Sequence, residues 1–429
     1  MDTIFALATA LGKAGIAVVR ISGPEAHLVG EQLAGALPPL GAARVRVLKD
    51  KSGSVIDEAL VIAFGEKASF TGEQVVEFQC HGAPAVVQRL MSVLSSETAA
   101  RMAEPGEFTR RALENGQLDL AQIEGLSDLL EAETEAQRIQ AMRVFSGELS
   151  ERTEVWRRDL IRAAALLEAT IDFADEEVPE DVSAEVGDLL DRTKAAISQE
   201  VSGAASAERV RTGFEVAILG PPNAGKSSLL NRIADREAAI ISDIPGTTRD
   251  VIEVRVDLNG VPVTFLDTAG LRETDDRVEA LGIEKARERA KNADLRVFLG
   301  DVSGLDDDLV SQQDLVVRSK SDLDDVAAHM AISSKTGAGI SELLDEISNR
   351  FVSKASDAGL VIRHRQATAL RECLTFLDVA KHHVAMGDAV SEIAAEDIRA
   401  GVRSLDALIG RVDVEHILDE IFLSFCLGK

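Results

Sequence analysis

The chain has few residues of the kinds that build a disulfide scaffold, a zinc site or a base-stacking surface. Its 429 residues include three cysteines, one tryptophan and no tyrosine, and aromatic residues make up 3% of the total. Cys80, Cys373 and Cys426 are too few and too scattered for a disulfide framework, and no Cys/His spacing suits zinc. We therefore expect a cytoplasmic protein with little aromatic surface for single-stranded nucleic acid.

Positive charge is also scarce. The chain has 46 Lys and Arg against 73 Asp and Glu, a net charge of −27, so its surface as a whole repels RNA and anionic membranes. Any RNA contact must use a local basic patch and is expected to need a partner. No apolar run approaches the roughly 18 residues of a membrane-spanning helix. The apolar start of the chain follows Asp2, where a signal peptide has basic residues, so we predict a buried strand there.

The pattern of apolar residues changes several times along the chain. Residues 4–111 alternate short β-like runs with one helical stretch after Pro84, and residues 118–171 have helical spacing. Residues 214–350 alternate apolar runs with helical stretches, which is typical of a parallel sheet. Residues 363–425 return to helical spacing, whereas the acidic segment 172–181 is expected to be a solvated loop.

This order predicts an α/β multidomain protein in which one domain interrupts another. We expect an α+β N-terminal domain (1–117), a discontinuous all-α helical domain (118–210 and 356–429), and an inserted P-loop domain with a parallel sheet (211–355). Insertion is tolerated because the two ends of a domain often lie close together.

The most specific motif is GPPNAGKS at residues 220–227, which fits G-x-x-x-x-G-K-[ST]. An apolar strand (VAIL) precedes it and a helical stretch (SLLNRIA) follows, as a phosphate-binding loop requires. In such a loop the backbone N–H groups surround a phosphate, Lys226 reaches the outer phosphates, and Ser227 binds Mg²⁺. A glycine turn between strand and helix is the plain alternative.

Four further motifs follow in the chain, as expected of a GTP-dependent switch. DTAG at 267–270 ends an apolar strand, where Asp267 can hold Mg²⁺ through water, and Thr248 in GTTRD (246–250) can supply a second Mg²⁺ ligand. SKSD at 319–322 places Asp322 where a carboxylate can accept both N–H donors of guanine, which disfavours an ATPase. SSK at 333–335, at the end of the next predicted strand, would complete the base pocket.

Together with these motifs, the flanking segments resemble the MnmE (TrmE) family of tRNA modification GTPases, whose GTPase domain is Ras-like. The matching segments are TIFALATALGKAGIAVVRISG, QVVEFQCHG, PGEFTRRALENGQLDLAQIE and the terminal FCLGK. The resemblance implies a homodimer whose N-terminal domain binds 5-formyltetrahydrofolate or a related one-carbon folate. It also implies a heterotetramer with the FAD-containing protein GidA (MnmG), which would make most of the contact with tRNA. Together the two proteins would add a carboxymethylaminomethyl group to the wobble uridine of certain tRNAs.

The motifs and the resemblance give one set of expected GTP contacts. These are Asn223, Ala224, Gly225, Lys226, Ser227, Ser228, Ser242, Asp243, Ile244, Pro245, Gly246, Thr247, Thr248, Asp267, Thr268, Ala269, Gly270, Ser319, Lys320, Asp322, Ser333, Ser334 and Lys335. Ser227 and Thr248 are the expected Mg²⁺ ligands.

Hydrolysis needs a group other than the usual glutamine to orient water, because Leu271 stands after D-x-x-G. The resemblance assigns this role to Glu279, which without it would be a polar residue on a switch helix. The resemblance also implies K⁺ in place of an arginine finger, with Asn223, Ser242, the Ile244 carbonyl and Thr247 as ligands. For Asn223 a simple turn role is the alternative.

The folate positions of the family fall on Arg20, Glu77, Gln117 and Lys429. Gln117 departs from the lysine that is common in the family, so weaker folate binding is expected. Cys426 is either a reactive thiol near that site or a buried thiol.

The short stretch between Leu295 and Lys320 leaves room for only a short helix.

One function of a different class remains open at this stage. A ribosome-assembly or regulatory GTPase would have the same GTP motifs and no modification activity. Such proteins usually carry a basic RNA-binding module, and this acidic sequence has none that we could identify.

Overall fold

The structure, a computed structural model, describes residues 2–172, 182–236, 253–267, 288–300, 313–323, 330–387, 390–412 and 428. The chain divides into two compact units. The first consists of Met1–Ser127 with Leu405–Lys429, and the second of Asp128–Ser404.

The first unit contains a six-stranded sheet. Its strands are β1 (Ile4–Leu7), β2 (Ile16–Ser22), β3 (Ala43–Lys49), β4 (Val55–Phe64), β5 (Val75–His81) and β6 (Arg101–Met102). Their order across the sheet is β3-β4-β5-β2-β1-β6, and every neighbouring pair is antiparallel except β1 and β6. The strand predicted at the start of the chain is therefore confirmed as β1.

Helices cover one face of this sheet and part of the other. The helices are α1 (Ala26–Ala34), α2 (Pro84–Glu97) and α3 (Glu107–Glu114), with a short 3₁₀ turn at Glu66–Ala68. Alternate strand residues such as Val19 and Phe78 form the main core with α1 and α2. Phe108 of α3 joins Ile4 and Ala6 in a smaller cluster. The combination of an antiparallel sheet with segregated helices confirms the α+β prediction.

A run of helices follows. These are α4 (Leu120–Glu131), α5 (Glu135–Phe145), α6 (Glu148–Asp172) and α7 (Ser183–Thr212). Helix α5 begins with a capping box, in which the Thr134 hydroxyl and the Gln137 side chain each bond the other residue's backbone N–H. Helix α7 packs along α6. The helical spacing predicted for this part of the sequence is confirmed.

An α/β domain interrupts the helices. It contains β7 (Phe214–Leu219), α8 (Lys226–Arg236), β8 (Glu253–Leu258), β9 (Val261–Asp267), β10 (Leu295–Leu299), β11 (Leu315–Val317) and α9 (Ile340–Ser356). The strand order is β11-β10-β7-β9-β8, parallel except for β8, which runs antiparallel to β9. This arrangement confirms the inserted parallel-sheet domain.

After this domain the chain returns to helices α10 (His364–Ala385) and α11 (Ser391–Leu408). Helix α10 packs against α7, the helix that precedes the inserted domain. The carboxylate of Glu200 in α7 accepts a hydrogen bond from the Leu360 backbone N–H over 3.1 Å, close to the point where the chain leaves the α/β domain. Helices on both sides of the insertion therefore pack together.

The structure also differs from the sequence-based expectation in detail. Strands β3 and β8 were not identified, because both are edge strands whose valines alternate with charged residues. The strand expected before Ser333 is only an isolated bridge between Arg318 and Ala331. The loop predicted at 172–181 starts at Asp172, which is the last residue of α6, and its other residues lie outside the described ones. Residues 301–312, within the stretch between Leu295 and Lys320 where a short helix is expected, lie outside them too. No helix in the described ranges is long and apolar enough to cross a membrane.

Candidate nucleotide-binding site

The phosphate-binding motif forms a tight loop between β7 and α8. Gly220 has φ of +148°, and a Cβ added there would lie 2.6 Å from the carbonyl oxygen of Leu299. Gly225 has φ of +98°, which also favours glycine. Both glycines of the motif are therefore required by backbone geometry, and the loop leads directly into the N-terminus of α8.

Lys226 is the first residue of α8 and its side chain lies over the loop. Its Nζ donates hydrogen bonds to the carbonyl oxygens of Gly220, at 2.8 Å, and Pro221, at 3.2 Å. The exposed backbone N–H groups at the start of a helix carry a partial positive charge. The ammonium group and the helix N-terminus thus place positive charge at the same loop, as an anion-binding site requires.

Ser227 contacts the acidic residue at the end of the neighbouring strand. Its hydroxyl donates to Asp267 Oδ2 over 2.8 Å, and Asp267 is the buried last residue of β9. Two adjacent oxygen ligands fit Mg²⁺, which prefers oxygen and usually completes its shell with water and phosphate. In the described part of the chain, no group of three or more His, Cys, Asp or Glu could hold a metal by itself. Ser227 and Asp267 place two oxygen atoms side by side at the end of β9.

Asn223 lies at the exposed tip of the loop with φ of +64°. Asparagine adopts this left-handed conformation more readily than most residues, which agrees with a turn role. Asn223 is also exposed, so its side-chain carbonyl is accessible from solvent. In the same loop Ala224 is buried, whereas Ser228, in the first turn of α8, is exposed.

The predicted base pocket is held together by a buried serine. The Ser333 hydroxyl donates to Asp322 Oδ1 over 2.7 Å and accepts from the Thr336 backbone N–H over 3.1 Å. Ser333 is fully buried, whereas Asp322 is exposed. The hydrogen bond from Ser333 lowers the pKa of Asp322 below its usual value. The Asp322 side chain is therefore a carboxylate at neutral pH and can only accept hydrogen bonds. Because the Ser333 hydroxyl holds Oδ1, it also fixes the direction of Oδ2.

The other predicted base-pocket residues lie in the same two segments. Ser319 and Lys320 follow β11, and Lys320 has φ of +59°. The Ser321 backbone N–H donates to the carbonyl of Ile332 over 3.0 Å, which joins the segment to the one carrying Ser334 and Lys335. The positive charges of Lys335 and Lys320 also help to lower the pKa of Asp322. The structure thus brings the two base-pocket motifs together.

Much of the predicted site lies outside the described residues. This applies to the residues expected to surround the γ-phosphate, the catalytic acid and the C-terminal positions. They are Ser242, Asp243, Ile244, Pro245, Gly246, Thr247, Thr248, Thr268, Ala269, Gly270, Glu279, Cys426 and Lys429.

Two of the predicted folate residues form an ion pair in the first unit. Arg20 of β2 and Glu77 of β5 are partners in the strand register, and Arg20 Nε lies 2.8 Å from Glu77 Oε1. Gln117 is exposed in the turn after α3, next to Gly72. Gly428 is buried so closely against β1 that an added Cβ would overlap the carbonyl oxygen of Leu7.

Sequence patterns did not reveal a buried charged network around Arg111. Arg111 of α3 is 5% exposed and donates to Glu73 at 3.1 Å, to Glu107 at 2.9 Å, and to the backbone carbonyl of Asp2 at 2.8 Å. Burial raises the pKa of Glu107, but hydrogen bonds from Arg101 and Arg111 outweigh that effect and lower it overall. Glu107 and Arg111 are four residues apart within α3, but Asp2 and Glu73 are far from Arg111 in sequence, so local spacing could not have revealed the whole network.

Comparison with known proteins gives matches along the chain. A family model described as "GTP-binding protein TrmE N-terminus" matches residues 3–117, and one described as "MnmE helical domain" matches residues 120–426. Proteins called tRNA modification GTPase MnmE are 56% identical over 430 residues in Dinoroseobacter shibae and 57% identical over 431 residues in Cereibacter sphaeroides. Both alignments cover 100% of this chain and 100% of the relative. Among solved structures, Era from Aquifex aeolicus bound to GDP and AlF₄⁻ is 28% identical over 32% of this chain and 56% of that chain, with a TM-score of 0.25.

Proposed function

Because the chain belongs to the MnmE family of tRNA modification GTPases and is a GTP-hydrolysing enzyme, we propose that it modifies the wobble uridine of certain tRNAs. With the FAD-containing protein GidA (MnmG) it adds a carboxymethylaminomethyl group at C5, in the cytoplasm. The observation that carries this proposal is the full-length similarity at more than 50% identity to proteins of that name. The four-part division at residues 117, 210 and 355 is part of the same proposal.

In this proposal the loop after β7 holds the phosphates of GTP. The backbone N–H groups of residues 223–228 surround the phosphates, and Lys226 exchanges its loop carbonyl partners for phosphate oxygens. Ser227 binds Mg²⁺ directly, together with Thr248, while Asp267 acts through water. The short Ser227–Asp267 hydrogen bond supports these roles because it already brings both oxygens to one point. Bound Mg²⁺ neutralises negative charge on the phosphates.

Hydrolysis depends on Glu279 and on K⁺. Leu271 occupies the position after D-x-x-G, and its side chain cannot form a hydrogen bond to the attacking water. Glu279 orients that water instead. K⁺ supplies the positive charge that an arginine finger provides in other GTPases, and its ligands are Asn223, Ser242, the Ile244 carbonyl and Thr247. The exposed, left-handed position of Asn223 at the loop tip supports a side chain directed away from the core.

Guanine selection is the role of Asp322. Its carboxylate accepts the two N–H donors of the guanine edge, while Ser319, Lys320, Ser334 and Lys335 border the base. Ser333 supports this role because its hydrogen bond restrains the Asp322 carboxylate from behind. Adenine presents a different donor pattern, so a restrained acceptor discriminates against it.

The first unit binds folate and forms the homodimer. Arg20, Glu77, Gln117 and Lys429 bind 5-formyltetrahydrofolate or a related one-carbon folate, which supplies the carbon that is transferred. Arg20 and Glu77 lie on the sheet face opposite α1 and α2. The same face carries exposed apolar side chains, including Ile16 at 61% and Val45 at 63% exposure, which supports contact with a second copy. A monomer in light scattering at micromolar concentration would contradict the homodimer.

The decisive experiment is nucleoside analysis of tRNA from a strain that lacks this gene. We expect loss of the modified wobble uridine and its recovery when the gene is restored. A variant with Asp322→Asn, which disturbs guanine selection, should fail to restore it. Unchanged nucleosides in the deletion strain would instead favour a ribosome-assembly or regulatory GTPase.

A further inference from the structure

Arg20 lies near two aromatic rings as well as beside Glu77. Its guanidinium carbon is 5.8 Å from the ring centroid of Phe70 and 5.8 Å from that of Phe108. Phe108 is fully buried, whereas Phe70 is half-buried and keeps part of its surface accessible. A cation at this distance is attracted to a ring face. Phe70 is therefore the aromatic group that a ligand of Arg20 would meet.

The segment carrying Phe70 connects two parts of the proposed folate site. It consists of residues 69–73, which we call the 69–73 loop. Phe70 faces Arg20 at one point of the loop. Gly72 lies at another point of the loop and has φ of +76°. A Cβ added to Gly72 would be 3.1 Å from Gln117 Cγ, so this part of the loop borders Gln117. A ligand that reaches from Arg20 to Gln117 would pass along this loop.

The loop is held by hydrogen bonds from three directions. Glu73 accepts from the Ser22 hydroxyl of β2 at 2.7 Å and from Arg111 of α3 at 3.1 Å. The carbonyl of Thr71 accepts from the Asn115 amide at 2.7 Å, and within the loop Ser69 Oγ donates to the carbonyl of Glu73 at 2.6 Å. The buried charge of Arg111 thus has a clear structural effect, which is to fix Glu73 and the loop before any ligand binds.

We infer that Phe70 is a ligand-contacting residue of the folate site and that Glu73 is the positioning residue that holds it there. The inference rests on the proposed folate function. Folate joins a flat pyrimidine-containing ring system to an aminobenzoyl ring and carboxylates. The Arg20–Glu77 pair can meet only the polar groups of such a molecule. The accessible part of the Phe70 ring supplies the flat apolar surface against which one of its rings packs.

The test is binding of 5-formyltetrahydrofolate to the full-length chain, measured by isothermal titration calorimetry. Phe70→Leu should weaken binding about five- to tenfold, because an aromatic contact contributes roughly 1 kcal/mol and about 1.4 kcal/mol corresponds to a factor of ten. Phe70→Tyr keeps the ring and should bind like the wild type. Thermal unfolding of each variant checks that the fold is retained.

A double-mutant cycle tests the positioning role of Glu73. Glu73→Gln removes the charge that faces Arg111 and should also weaken folate binding severalfold. If Glu73 acts through Phe70, Glu73→Gln should have little further effect in the Phe70→Leu background. Glu31→Gln is the matched control, since Glu31 is exposed on α1. Fully additive effects would overturn the positioning role.

The outcomes separate this inference from the folate proposal. Loss of binding in Arg20→Gln together with wild-type binding in Phe70→Leu would overturn the role of Phe70 and leave the folate site standing. Absence of binding to the wild-type chain would overturn the folate site, and the role of Phe70 with it.

Discussion

The hydroxyl of Ser333 lies 2.7 Å from Oδ1 of Asp322 and donates a hydrogen bond to it, although the two residues belong to different segments. Ser333 also accepts from the Thr336 backbone N–H and is fully buried. An exposed carboxylate is therefore oriented by a hydroxyl from the protein interior. The proposed guanine-selecting role of Asp322 can therefore be tested without changing Asp322 itself.

Ser333→Ala should weaken GTP binding by about tenfold while leaving some preference for guanine. The variant loses the hydrogen bond that orients Asp322, and it leaves the Thr336 N–H without its partner. Leaving a buried group unpaired costs about 1–3 kcal/mol of free energy. Fluorescence titration with GTP and ATP analogues measures both affinity and preference. Wild-type affinity in the variant would mean that Asp322 needs no support from Ser333.

Glu107→Gln should destabilise the protein most at neutral pH. The pKa of Glu107 is lowered in the folded state, so its contribution to stability is complete above the unfolded-state pKa of about 4.3 and is lost as pH falls through the lowered value. At pH 7 we expect a loss of about 1–3 kcal/mol, because buried Arg111 loses a charged acceptor. Denaturant unfolding carried from pH 7 to below the lowered pKa of Glu107 should show the difference in unfolding free energy narrowing once the pH falls below about 4.3. A constant difference would show that the charge of Glu107 is unimportant.

Asn223→Ala should abolish stimulation of GTP hydrolysis by K⁺ and leave nucleotide binding nearly intact. The side-chain carbonyl of Asn223 is one of the proposed K⁺ ligands, whereas Lys226 and Ser227 are proposed to provide most phosphate contacts. The measurement compares turnover in K⁺ and Na⁺ at matched ionic strength. Asn223→Gly is the control for the backbone, since glycine also adopts the left-handed conformation. Equal wild-type rates in both salts would contradict the K⁺ proposal.

Glu279→Ala should lower kcat by about 10² or more with little change in GTP affinity. This is the range expected when a positioned acid–base group is removed. Single-turnover hydrolysis and equilibrium nucleotide binding should be measured on the same preparation. Unchanged turnover would identify Glu279 as an ordinary polar residue.

Ser319→Asn should tighten binding of GTP and GDP by a similar factor of about five. An asparagine at this position could reach the guanine edge with its amide, and serine is too short to make the same contact. One hydrogen bond contributes about 1 kcal/mol, which corresponds to roughly fivefold in affinity. If the wild type already binds as tightly as the variant, another group takes the place of the missing amide.

The sequence alone determined the features that depend only on residues close together along the chain. The phosphate-binding loop was predicted in full because its glycines, Lys226 and Ser227 are contiguous, and the strand and helix around them have their own periodicity. The change from helical to alternating patterns likewise predicted the inserted domain. Edge strands β3 and β8 were missed because their alternating valines and charges are also typical of exposed segments.

Only the tertiary structure decided which distant residues meet. Ser333 was predicted to border the base, but its bond to Asp322 depends on how two loops are joined after β11. Arg111 meets Glu73 and the backbone of Asp2 because α3 packs beside both segments, and Arg20 faces Phe70 because of strand register and the 69–73 loop. Such contacts follow from long-range pairing and packing, which local sequence periodicity does not encode.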